Sequence, residues 1–184
     1  MKEKNGKRKG RWAYLNDYEK DASGAYVYKG TEFAWKSPRK PALARIWLFS
    51  LAALGAQIGA GCIPGTGMNG RAWVLLPYAA ALAASVSLVW GAYALMDGGD
   101  PLPDHIYRQS IEKLPGRGLL AAALSGLAIL GELINLIRQG QFTGTVPSAL
   151  LYLLFEAAAL ACGLLLRREI RALLWEAHSP VEDD

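Results

Sequence analysis

Four long apolar blocks dominate this chain: Ala44–Ile63, Ala72–Met96, Gly118–Ile137 and Ala149–Leu166. Charged residues make up 20% of the 184 residues, which taken alone would pass for a soluble protein. Their placement does not, because nearly all of them fall between the blocks. A bilayer core takes roughly 20 mostly apolar residues per helix, and each block approaches that length, the last when extended outward through Val146–Ser148. In hydrocarbon every backbone N–H and C=O must be paired within the segment, so each block is expected to be an α-helix. A soluble bundle is the alternative, but a domain of this size cannot bury four helices on all sides. The expected fold is therefore all-α: an integral membrane four-helix bundle with spans 44–63, 72–96, 118–137 and 146–166.

Lysine and arginine set the expected orientation. Eighteen of the 20 fall before the first block or at its start, in the loop 97–117 and after the last block. Only Arg71 and Arg138 fall in the other two loops. Both termini are expected on the cytoplasmic side of a cell membrane, of the bacterial cytoplasmic kind, facing anionic lipid. The net charge of +4 is read as a topology signal and gives no ground for a nucleic-acid partner. No cleavable signal is expected, because over forty residues of basic segment precede the first block. Cys62 and Cys162 are predicted at opposite faces, which precludes a disulfide between them. The two histidines, His105 and His178, have no cysteine nearby, so neither a metal site nor a cofactor is predicted.

The cytoplasmic parts carry weaker signals. Residues 1–43 form a basic, aromatic segment, with Met1–Arg11 expected to be unstructured. Tyr26 and Tyr28, then Phe33 and Trp35, alternate with other residues. This predicts a small β-hairpin turning near Gly30. Pro38 and Pro41 are expected to separate it from the first helix. In the loop 97–117, Asp104 is expected to cap a short helix from about His105 to Leu114. Past the last block, "RREIRALLWEAH" is predicted to continue the helix, and 178–184 to form an acidic tail.

Inside the blocks, polar residues are few and patterned. Plotted at 100° per residue, Glu132 shares its helix face with Gly118, Ala121, Ser125, Ala128, Asn135 and Gln139. The opposite face is Leu120, Leu127, Leu130, Ile134 and Ile137. Membrane helices turn small and polar faces to one another and bulky apolar faces to lipid. The last helix repeats the pattern, with Ala149, Tyr152, Ala159 and Gly163 aligned on Glu156. The first offers Ser50, Ala53, Gln57 and Gly61, and the second Tyr78, Ala81, Ser85 and Ala92. Counted from the outer helix ends at 1.5 Å per residue, Glu132, Gln57 and Tyr78 lie about 7–9 Å deep and Glu156 about 12 Å. Glu132, Glu156, Gln57, Tyr78 and Asn135 are thus predicted to form one polar layer. Pro77, beside Tyr78, is expected to leave the carbonyl of Trp73 unpaired.

Two carboxylates close together in low dielectric cannot both ionise cheaply, so the layer is expected to hold a proton or a cation. Intramembrane acids mark ion or proton pathways. A small transport-related protein or membrane-complex subunit is the first functional expectation, acting as a homo-oligomer or with a partner membrane protein. The arrangement resembles small multidrug exporters in its physics, but their glutamate lies in the first helix and this chain has none there. The alternatives are a scaffold that docks a partner through the N-terminal segment, or simple bracing of the bundle by protonated acids. An enzyme is not expected: the sequence shows no nucleophile, metal triad or phosphate loop beside the two acids.

Overall fold

The computed structural model describes residues 18–20, 24, 26–67, 70–139 and 146–178. The stretch Met1–Arg11 and residues 179–184 of the expected tail lie outside them. Four long helices make up most of the chain: α1 (Arg39–Gly61), α2 (Ala72–Asp97), α4 (Leu114–Gln139) and α5 (Val146–Arg171). Each is long and apolar enough to cross a membrane. They run up-down-up-down. α1 packs on α2 and α5, and α4 packs on the same two, so α1 and α4 lie across a diagonal. One end of the bundle, the loop end, carries the connection 62–71. The other, the basic end, carries the N-terminal strands, residues 98–113 and the segment after α5.

The helices overrun the expected spans, and local chemistry says why. α1 begins at Arg39, with Pro41 inside its first turn. A proline there breaks nothing, because first-turn N–H groups have no intrahelical partner. α4 starts at Leu114 and follows a short helix α3 (Asp104–Tyr107) and a π-helical turn (Arg108–Glu112). Asp104 does not cap this piece. It is the first helical residue, and its carboxylate accepts from Arg108 Nε one turn later at 3.0 Å.

The predicted faces largely appear as drawn, with two corrections at the loop end, where the helices run out toward their connections: Gly61 is exposed and Tyr78 only half-buried. Ser50, Ala53 and Gln57 of α1, Ala81, Ser85 and Ala92 of α2, Ala121, Ser125, Ala128, Glu132 and Asn135 of α4, and Ala149, Tyr152, Glu156, Ala159 and Gly163 of α5 are all buried. Leu120, Leu127, Leu130, Ile134 and Ile137 are exposed on the far side of α4. Small residues let the backbones approach closely. A Cβ on Gly118 would stand 2.8 Å from the carbonyl oxygen of Gly163, and one on Gly163 would stand 2.7 Å from that of Gly118. Gly55, by contrast, faces open space.

Two expectations at the basic end are corrected. A small hairpin exists, but it joins β1 (Tyr18–Lys20) to β2 (Tyr26–Tyr28), with no turn at Gly30. β3 (Glu32–Trp35) instead lies at the centre of a second antiparallel sheet, between β4 (Leu102–Pro103) and β5 (Trp175–His178). The second correction follows: α5 stops at Arg171, and "WEAH" is a strand. A two-stranded ribbon is marginal alone, and pairing β3 with two distant segments fills both of its edges. It also packs Phe33 and Trp35 against the base of the bundle core. Phe33 stacks on Tyr107 at 3.9 Å, and Trp175 meets both Trp35 (4.3 Å) and Tyr107 (5.3 Å). Lys36 N–H donates to Leu174 O and Leu174 N–H to Ser37 Oγ, closing the strand ends.

Candidate functional site

All five predicted site residues lie in the half of the bundle nearer the loop end. Gln57 and Glu156 are 0% exposed, Glu132 1% and Asn135 3%; Tyr78 is half-buried. Polar side chains enclosed this fully need partners, since an unmatched buried polar group costs a few kcal/mol. The structure supplies them in two clusters.

The first is centred on Gln57. Its Nε2 donates to Glu156 Oε2 at 2.9 Å and to Ser125 Oγ at 2.7 Å. Ser125 lies on α4, so this side chain reaches across the diagonal of the bundle. On Gln57's own helix the buried neighbours are the small residues Ala53, Ala56 and Ala60. Tyr78 of α2 donates its hydroxyl to the backbone oxygen of Gln57 at 3.0 Å. Gly61, one turn on, clears the path: a Cβ there would collide with the Tyr78 hydroxyl. Tyr152, one turn before Glu156, places its hydroxyl next to that carboxyl but outside hydrogen-bond geometry. All four helices thus contribute to this cluster.

The second cluster joins α4 to the loop 62–71. Glu132 Oε2 accepts from the backbone N–H of Gly67 at 2.8 Å. Any larger residue there would force Glu132 and Asn135 to shift. A Cβ on residue 67 would stand 2.5 Å from Glu132 Oε2 and 2.7 Å from Asn135 Nδ2. The loop therefore closes the end of the bundle directly over Glu132 and Asn135.

Three oxygens of the first cluster are buried and have no hydrogen-bond partner among the described residues: Gln57 Oε1, Glu156 Oε1 and the Tyr152 hydroxyl. Thr66 Oγ1, in the closing loop, shares that condition. An uncommitted carboxyl oxygen among other oxygens is the donor set that a proton, a water molecule or a hard cation takes.

Sequence reasoning put Ser125 and Tyr152 on the right faces without including them in the site. Their spacing from the acids, seven residues before Glu132 and four before Glu156, was the available signal. Gly67 gave no signal, because its role is made by a loop folding back. Comparison with protein-family models, with curated proteins and with solved structures finds no match.

Proposed function

We propose that this is a multi-pass membrane protein whose polar layer binds a proton or a small hard cation, in the service of transport or of a membrane complex. The carrying observation is the set of buried oxygens around Glu156 with no hydrogen-bond partner among the described residues: Gln57 Oε1, Glu156 Oε1 and the Tyr152 hydroxyl. A layer that only braced the helices would be expected to commit Gln57 Oε1 to a protein donor. The orientation proposed puts the basic end in the cytoplasm of a cell, with its eighteen lysines and arginines against two at the loop end. The loop end then faces outward, and the ion reaches the layer past Gly67 and Thr66.

The alternative, partner docking through the N-terminal segment, has less surface to work with than its sequence suggests. Phe33 and Trp35 are used within the chain's own sheet, which leaves the β1–β2 hairpin with its exposed Tyr26. In this proposal Glu132 and Glu156 hold an ion and do not act as a catalytic acid–base pair.

Thermal unfolding of the purified full chain tests the layer, with sodium, lithium or choline chloride at matched ionic strength and at two pH values. A cation bound only by the folded state stabilises it by about 2.7 kcal/mol at a hundred times its Kd. The expected result is a midpoint that rises with sodium or lithium, or that shifts with pH, and a response lost in Glu156→Gln. A midpoint indifferent to cation and pH, or an identical response in Glu132→Gln, Glu156→Gln and wild type, rules binding out. Proton or cation flux in reconstituted vesicles then separates transport from binding alone.

A further inference from the structure

The loop end holds only two basic residues, Arg71 just before α2 and Arg138 near the end of α4. They come from different helices, yet both guanidiniums lie over one indole ring, that of Trp73, at 5.5 and 5.6 Å from its centroid. Each contact is favourable by itself, but together they bring two like charges to one place. A carboxylate would ordinarily neutralise such a pair. Residues 39–96 and 133–155 contain no Asp or Glu at all. The two acids that reach this half of the bundle, Glu132 and Glu156, are buried and engaged by Gly67 and Gln57. Both arginines are exposed, as is Trp73. α2 also starts here without a side-chain cap, which adds the partial positive charge of its N-terminus.

We propose that Arg71, Arg138 and Trp73 form a binding site for the phosphate of an anionic phospholipid at the loop end. Guanidinium groups bind phosphate through paired N–H donors, and an indole at a helix end sits at headgroup level. The surface beside the cluster favours a lipid over a free anion. Leu76, one turn along from Trp73, is 67% exposed, and Ile137, next to Arg138, is 76% exposed. In a bilayer these side chains lie among acyl chains, so the phosphate presented to the arginines there is one attached to those chains rather than a free anion. The proposal rests on the membrane reading above but not on the polar layer.

The test is native mass spectrometry of the full chain, purified in mild detergent and exposed to equimolar phosphatidylglycerol and phosphatidylcholine. The basic end also attracts anionic lipid, so the comparison is between ends: Arg71→Gln/Arg138→Gln against Arg167→Gln/Arg168→Gln. Wild type is expected to retain phosphatidylglycerol over phosphatidylcholine. The loop-end double variant should lose at least about tenfold of the tightest retention, as expected for two charged hydrogen-bonding groups, and the basic-end variant should keep it. Equal retention in wild type and the loop-end variant overturns the site. Displacement of the lipid by millimolar inorganic phosphate overturns the lipid as its ligand. Should the double variant not fold, Arg138→Gln alone and a salt titration of wild type decide, and retention unchanged in both overturns the site. A chain that holds no lipid of either kind, at either end, would instead point to failure of the membrane reading.

Discussion

Gly131 shows how much a single residue can carry here. Pro77 removes the N–H that would bond the carbonyl of Trp73, and that oxygen turns to α4, where a Cβ on Gly131 would stand 2.8 Å from it. Only a bare Cα, through weak C–H···O contact, lets the two backbones come so close. Gly131→Ala and Gly118→Ala each press a methyl against backbone that cannot swing away, and each should destabilise the bundle by about 1–3 kcal/mol. Gly55→Ala meets open space and should be neutral or stabilise slightly, by up to about 1 kcal/mol, through helix propensity. Unfolding midpoints of the three variants in one detergent check this, and equal shifts for all three would contradict it. At this scale the sequence was informative where a residue type was out of place: Glu132, Glu156, Gln57 and Pro77 were all legible as anomalies in apolar runs. Gly67 was not, since glycine in a loop is ordinary and its N–H finds Glu132 only through the fold.

The elements divide by the range of their partners. Helix faces depend on a 3.6-residue period within one segment, so the inward seams of all four helices were readable, down to which leucines of α4 point away. Strand pairing depends on segments far apart in the chain. Tyr26, Tyr28, Phe33 and Trp35 alternate correctly, but alternation does not say which strand sits opposite. β3 found its neighbours in the α2–α3 connection and after α5, and "WEAH" became a strand because β3 offered it an open edge and Trp35 offered it a ring. Trp175→Ala removes the residue that touches both Trp35 and Tyr107. It should cost about 3 kcal/mol, the low end for a large aromatic, since Trp175 is only half-buried. The loss should be confined to the basic end: limited proteolysis after Lys36 or Arg171 should accelerate while the helical circular dichroism stays unchanged. A uniform loss of helix would mean that the sheet does more than tie the ends together.

For the whole molecule, orientation is the property most open to a direct check. Cys62 is exposed just past α1 at the loop end, and Cys162 is half-buried toward the basic end of α5. A membrane-impermeant maleimide should label Cys62 in intact cells and lose its target in Cys62→Ser. Labelling that appears only after the membrane is opened would reverse the proposed orientation. The sequence by itself determined the number of long helices, their inward faces and the crowding of charge at one end, because each depends on local pattern and on the cost of burying unpaired backbone or charge. The tertiary structure alone decided that Gln57 spans the diagonal to Ser125, that Gly67 closes over Glu132, and that Arg71 and Arg138 meet on Trp73. Those contacts join segments tens of residues apart, and no periodicity within a segment encodes how far a side chain reaches once the helices have packed.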